Sequence, residues 1–193
     1  MVTRNKFLNH VDRDVIEILE ENMKKLGLDA RSKTPFTSVD KLENGCFKVN
    51  FENGESLEAE KILSALGRPA NFEPLNLGAA GVVVENGAIK VDEFNNTNVD
   101  GIYAIGDVTN QINLTPVAIR QGRIVTERIF NNKPELKACL DNIATVIFSH
   151  PPIGVVGLNE EQAVNKFGKE NVKVYKSKFT NMFYSPASSD DKK

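Results

Sequence analysis

The stretch "TNVDGIYAIGDVTN", Thr97 to Asn110, decides the fold. Ile102, Tyr103, Ala104 and Ile105 form a short apolar run with the composition of a buried strand, and the run stops on Gly106-Asp107. In an open α/β sheet, ligands lie outside the carboxyl ends of the strands. A glycine there lets a ligand approach the backbone, and a carboxylate accepts its hydroxyls. Asp107 therefore reads as a holder of ligand hydroxyls. A plain turn cap is the other reading of the same dipeptide.

Directly downstream, "LTPVAIRQGRIVTERIFNN" predicts a helix, with Thr115 as N-cap, Pro116 at its first position and Ala118, Gly122, Val125 and Ile129 on its inner face. The free N–H groups and positive dipole end of the helix starting at Thr115 suit an electron-rich carbonyl or an anion, so one ligand could touch both Asp107 and this helix start. A helix cap with no ligand is the alternative.

Upstream, "KILSALGRPAN" is a second apolar run that ends in Gly67, expected to be another buried strand tip. Before it, "DRDVIEILEENMKKLGL" places Val15, Leu19, Met23 and Leu26 at helical spacing, with Asp12 or Asp14 to cap and Gly27 to stop. Glu-Asn-Gly recurs at 43–45, 52–54 and 85–87, which predicts two-residue hairpin turns and antiparallel meanders. Toward the C-terminus, "NIATVIFSHPPIGVVGL" reads as a strand ending at Pro151-Pro152. "NEEQAVNKFG" reads as a helix with an Asn159…Gln162 capping box and a stop at Gly168. "NVKVYKSKF" reads as a further strand and "SPASSDDKK" as a fraying end.

Composition narrows the function classes. With 193 residues, 40% apolar and 26% charged, the chain can bury a core of one domain or two small ones. A net charge of -2 gives no electrostatic reason for a nucleic-acid or membrane partner, and the 11 Phe and 3 Tyr are scattered rather than arranged as a base-stacking platform. The opening residues carry charge throughout and no apolar signal core, so a cytoplasmic location is expected. Cys46 and Cys139 lie far apart in sequence, predicting neither a disulfide framework nor a metal site, and both read as small buried hydrophobes.

"TNVDGIYAIGDV", "LTPVAIRQGR" and "TVIFSHPPIGVVGL" together resemble the flavin-dependent pyridine nucleotide-disulfide oxidoreductases. The narrower "FSHPPIG" resembles the glutathione reductase branch more than the trypanothione or lipoamide branches. The resemblance runs from Met1 to about Ala187. It implies an α/β fold: part of a two-dinucleotide-domain disulfide reductase, with antiparallel meander insertions and the start of an α+β dimerisation domain. It divides the chain into 1–69, the latter half of an NAD(P)H-binding domain; 70–140, the closing part of an FAD-binding domain; and 141–193, the truncated start of the dimerisation domain.

It also implies FAD and NADPH as cofactors, glutathione disulfide as substrate and a homodimeric parent. On the family pattern Gly106 and Asp107 meet the ribityl chain of FAD, and the backbone at Leu114 and Thr115 faces the pyrimidine edge of the flavin. Gly67 borders the nicotinamide-nucleotide site, Asn113 and Val146 lie near the nicotinamide, and Arg4 meets the 2′-phosphate of NADPH.

The departures from that family are as informative. No G-x-G-x-x-G occurs, the first glycine is Gly27, and neither a C-x-x-x-x-C pair nor a second His-Pro acid/base element is present. The chain therefore reads as an interior piece, inactive by itself, with no catalytic residue of its own. His150 reads as structural. After Arg4 the sequence runs "NKFLNHVD" without the family's second Arg, and Pro69 stands one position early in "GRPAN". A lipoamide dehydrogenase-like reductase and a non-catalytic association module on the same scaffold are the alternatives.

Overall fold

A computed structural model describes residues 1–179 and Met182. The tail "SPASSDDKK" lies outside the described residues. The chain is mixed α/β and divides into two compact units, Met1–Leu63 with Asn142–Lys193, and Ser64–Asp141.

The first unit opens on helix α1, Arg13–Lys25, followed by an antiparallel meander of β1 (Phe36–Lys41), β2 (Phe47–Phe51) and β3 (Ser56–Ala59). The buried stripe of α1 is Ile16 and Leu19 with Met23 half-buried, whereas Val15 and Leu26 face solvent. Both stripes have helical spacing. Burial is settled by the apolar partners available, Val11 and Ile153. Ile153 belongs to a two-stranded hairpin whose Ile147 and Val155 pack on the same cluster.

The single strand expected from "NIATVIFSHPPIGVVGL" is this hairpin. It is bent at residues 148–152, where His150-Pro151 is cis. Asp12 is the N-cap residue of α1, but its carboxylate accepts from the N–H of Glu160 at 2.7 Å. It thereby serves the start of a distant helix instead of its own.

The repeated Asn-Gly tripeptide gives two turn types. In both meander turns only the glycine has positive φ (Gly45, 84°; Gly54, 84°) and the loop spans three residues, closed by the Leu42 N–H on the Cys46 carbonyl and the Phe51 N–H on the Glu55 carbonyl. Asn44 and Asn53 hold these loops by accepting from the N–H two residues on, each at 3.0 Å. Only Asn86-Gly87 has both residues at positive φ (51° and 74°), the two-residue turn expected of Asn-Gly.

That last turn joins β4 (Val84–Glu85) and β5 (Ala88–Ile89) in the second unit. The unit's core is Val82, Ile89 and Ala104, flanked by Phe72, Leu77, Val91, Val99, Ile102 and Val108. Helix α2, Thr115–Phe130, completes it. In the first unit the hairpin strands are β6 (Thr145–Ile147) and β7 (Ile153–Val155). Helix α3, Glu160–Phe167, then begins on the expected reciprocal Asn159–Gln162 capping box.

Three expected strands are absent. "DGIYAIGDV" is extended and joined on one side, through the Asn96–Tyr103 bridge and the Ala104 N–H on Asn95. The N–H groups of Tyr103 and Ile105 on its other side meet no acceptor among the described residues. "KILSALGRPAN" has no ladder at all, with Leu63 92% and Leu66 78% exposed, and "NVKVYKSKF" is likewise unpaired among the described residues. In each case the apolar pattern is present but the described residues supply no full strand partner, so no sheet forms among them. Cys46 is half-buried in a turn and Cys139 is exposed, correcting the expectation that both are buried.

A side-chain cluster ties α2 to the 92–96 turn. Asp92 accepts from the N–H of Phe94 and of Asn96 and from Nδ2 of Asn96, at 2.8–2.9 Å. Arg128 donates to the Phe94 carbonyl and to Oδ1 of Asn96. Desolvation pushes the Asp92 carboxyl up, but the bonds from Asn96 and Phe94 and the charge of Arg128 outweigh it and hold it below its ordinary value.

Two predictions follow from this packing. Leu19→Ala should lower stability by about 2–5 kcal/mol in chemical denaturation, while Ile18→Ala on the exposed face should cost within about 0.5 kcal/mol. Equal effects would contradict the buried stripe. Because Asp92 titrates lower folded than unfolded, its stabilisation is complete above its unfolded value, about 3.9, and lost as pH falls through the folded one. The stability advantage of wild type over Asp92→Asn should therefore be present at neutral pH and fade on acidification, read by thermal melts across pH.

Candidate functional site

Within the second unit, extended Ile105 (φ −136°, ψ 157°) leads into a 3₁₀ turn, Gly106–Thr109, against which α2 packs. Gly106 is buried at φ 72°. Its N–H donates to Oε1 of Gln121 at 2.8 Å, and its carbonyl accepts from the Thr109 hydroxyl at 2.8 Å. A Cβ on Gly106 would stand 2.9 Å from the Cβ of Ala118. The space left by the missing side chain is thus filled by α2. This corrects the expectation that it serves ligand approach. One turn along the helix, a Cβ on Gly122 would come within 3.1 Å of Cδ1 of Ile105.

Helix α2 starts one residue earlier than expected. Leu114 is the N-cap, its carbonyl accepting from the N–H of Val117 and Ala118, and Thr115 is the first helical residue with no capping side-chain bond. The buried positions are Val117, Gln121 and Val125; of the expected face Val125 is buried, Ala118 and Gly122 are half-buried and Ile129 is 43% exposed. Gln121 is 1% exposed and bonded at both ends: besides accepting from Gly106, its Nε2 donates to Oε1 of Gln111 at 2.8 Å. Sequence reasoning missed Gln121. The available signal was a polar residue at the centre of a Val-x-x-x-Gln-x-x-x-Val stripe.

Around this seam the fold gathers Gly106, Asp107, Asn113, Leu114 and Thr115. The exposed Asp107 carboxylate accepts no hydrogen bond from the described residues, and the exposed Thr115 N–H finds no acceptor among them. Asn113 donates to Oδ1 of Asn110 at 3.2 Å. The arrangement offers an open anionic acceptor and an open helix-end donor, the pair needed for a ligand with hydroxyls at one point and a carbonyl at another. Those requirements match a ribityl chain and a flavin ring.

The other expected residues lie on other segments. Gly67 lies in the same unit, in the irregular 60–71 segment, at a glycine-favouring φ of 114°. Arg4 and Val146 belong to the first unit. Arg4 is exposed in a bend, with no acidic partner among the described residues, and Val146 is the 53%-exposed centre of β6. A cleft of about 320 Å³ between the starts of α1 and α3 is lined by charges of both signs, including Lys6, Asp12, Arg13 and Glu160, and by none of the expected site residues. His10 and His150 are both exposed.

The chain belongs to the pyridine nucleotide-disulphide oxidoreductases: residues 1–122 match that family, and residues 143–193 match its dimerisation domain. It is 31% identical over 193 residues to the glutathione reductase of Schizosaccharomyces pombe, an alignment that covers 99% of this chain and 42% of that protein.

Among solved structures it resembles the HOCl-induced flavoprotein disulfide reductase RclA of Escherichia coli, with TM-score 0.76 and 27% identity over 85% of this chain and 38% of that one. It also resembles LpdA of Mycobacterium tuberculosis, with TM-score 0.77 and 25% identity over 86% of this chain and 36% of that one. The chain spans about two fifths of the length of these relatives.

The contact between Gly106 and Ala118 makes a sharp test. Gly106→Ala should destabilise the second unit by about 2 kcal/mol or more, combining a left-handed backbone with a steric overlap. Adding Ala118→Gly should recover the overlap and leave the backbone cost. A Gly106→Ala midpoint equal to wild type in urea would contradict the seam.

Proposed function

We propose that these residues belong to an FAD-dependent disulfide reductase that takes electrons from NADPH and delivers them to glutathione disulfide. The observation that carries the reading is the open Asp107 carboxylate beside the open Thr115 N–H, in a chain of this family. When bound, FAD supplies two-electron transfer between the nicotinamide and a redox disulfide.

In this reading Asp107 accepts the ribityl hydroxyls. The Thr115 N–H, at the positive end of α2 behind the Leu114 carbonyl, donates to the pyrimidine edge. Arg4 pairs with the 2′-phosphate of NADPH, while Gly67, Asn113 and Val146 border the nicotinamide nucleotide. The division into 1–69, 70–140 and 141–193, the homodimer and the cytoplasmic location are parts of the same proposal. Among the described residues no helix is long and apolar enough to cross a membrane. Similarity to a glutathione reductase over 99% of the chain favours glutathione disulfide over lipoamide.

A second reading, an association module without flavin, draws on exposed apolar residues such as Leu63, Leu66 and Phe148. Titration of the purified 193-residue chain with FAD separates the two. The reductase reading expects FAD to bind, with the affinity weakened about ten-fold or more in Asp107→Ala. It also expects no glutathione disulfide turnover by these residues alone, because Cys46 and Cys139 form no redox pair in sequence. Absence of FAD binding favours the module.

A further inference from the structure

We infer that Gln121 is a positioning residue for the flavin contacts, setting the Asp107 carboxylate and the Thr115 N–H in register; this rests on the flavin reading above. The Gln121 side chain bridges both segments carrying those groups. Oε1 holds the N–H of Gly106, the residue before Asp107, and Nε2 holds Gln111, in the loop that leads to Leu114 and Thr115. It does so from the second turn of α2 while 1% exposed, with Val117 and Val125 buried on either side along the stripe.

Both of its bonds are 2.8 Å long, and no buried side-chain polar atom among the described residues lacks a partner. A buried amide at the centre of an apolar helix stripe is unfavourable unless both ends are bonded. Here the two ends are bonded to the two segments that present the open groups. Gln121 makes no contact with solvent-borne ligand, so its influence passes through the backbone of Gly106 and the side chain of Gln111.

The arrangement also assigns different duties to its two atoms. Loss of Oε1 would free the Gly106 N–H, while the Gly106 carbonyl stays held by the Thr109 hydroxyl. Loss of Nε2 would free only Gln111. Gln121→Leu removes both bonds at similar volume, whereas Gln121→Glu keeps the acceptor for Gly106.

The test is an amide-resolved titration of the full 193-residue chain with FAD, following the Asp107 and Thr115 signals, together with thermal melts of each variant. In wild type both signals should move with FAD. In Gln121→Leu the chain should stay folded, with the FAD dissociation constant raised about ten-fold and the two signals no longer moving together. Gln121→Glu should recover most of the affinity.

A merely structural role would lower the melting temperature of Gln121→Leu and leave its FAD affinity and paired shifts at the wild-type values, which would overturn the inference. Failure of Gln121→Glu to recover affinity while still folded would also overturn it. Wild-type signals unmoved by FAD would instead overturn the flavin reading itself, and with it the role assigned to Gln121.

Discussion

The peptide of Gly106, bonded through its N–H to Gln121 and through its carbonyl to Thr109, joins the end of an extended segment to the face of α2. Three local features depend on that joint. The turn can form because glycine accepts φ 72°, the helix can approach because no Cβ stands in the way of Ala118, and the buried amide is tolerated because both its ends are bonded. Asp107 is left outside this network. Its exposure follows from its neighbour's burial, since the turn that sinks Gly106 against the helix faces the next side chain outward.

The same physics explains why parts of the pattern stay unfulfilled. Tyr103 and Ile105 present alternate side chains and N–H groups in the geometry of a strand with one edge satisfied. Leu63 and Leu66 carry the composition of a buried strand while standing almost fully exposed. Apolar strand sequences specify burial only when a second strand supplies acceptors and cover, and the relatives that share this fold are more than twice as long. What the described residues stabilise by themselves are local devices: the Asn-Gly turns, the Asn159–Gln162 capping box, and the Arg128 side chain that closes the 92–96 turn against Phe94 and Asn96.

Legibility in the sequence divides along that line. Helices α1, α2 and α3 and the meander were readable because their signals, caps, period and turn residues, lie within a few positions of one another. The expected strands were not realised because pairing is non-local. The face of α1 shifted from Val15 to Ile16 because Ile153, distant in sequence, lies beneath it. At the candidate site the dipeptide Gly106-Asp107 stood out in sequence, and the start of α2 was readable to within one residue. The reason for the glycine was not, since it depends on Ala118. Gln121 was passed over because glutamine on a helix ordinarily faces water, and only its place between Val117 and Val125 marks it as internal.

Residue-resolved amide hydrogen exchange tests the central claim most directly, because it reads the Gly106 joint without any ligand. The account predicts that the Gly106 amide is protected to the same degree as the interior of α2 around Val125, while the amides of Tyr103 and Ile105, three positions and one position before it, exchange nearly as freely as an open chain. A Gly106 amide exchanging as fast as its two neighbours would show that Gln121 does not hold it, and would contradict the account.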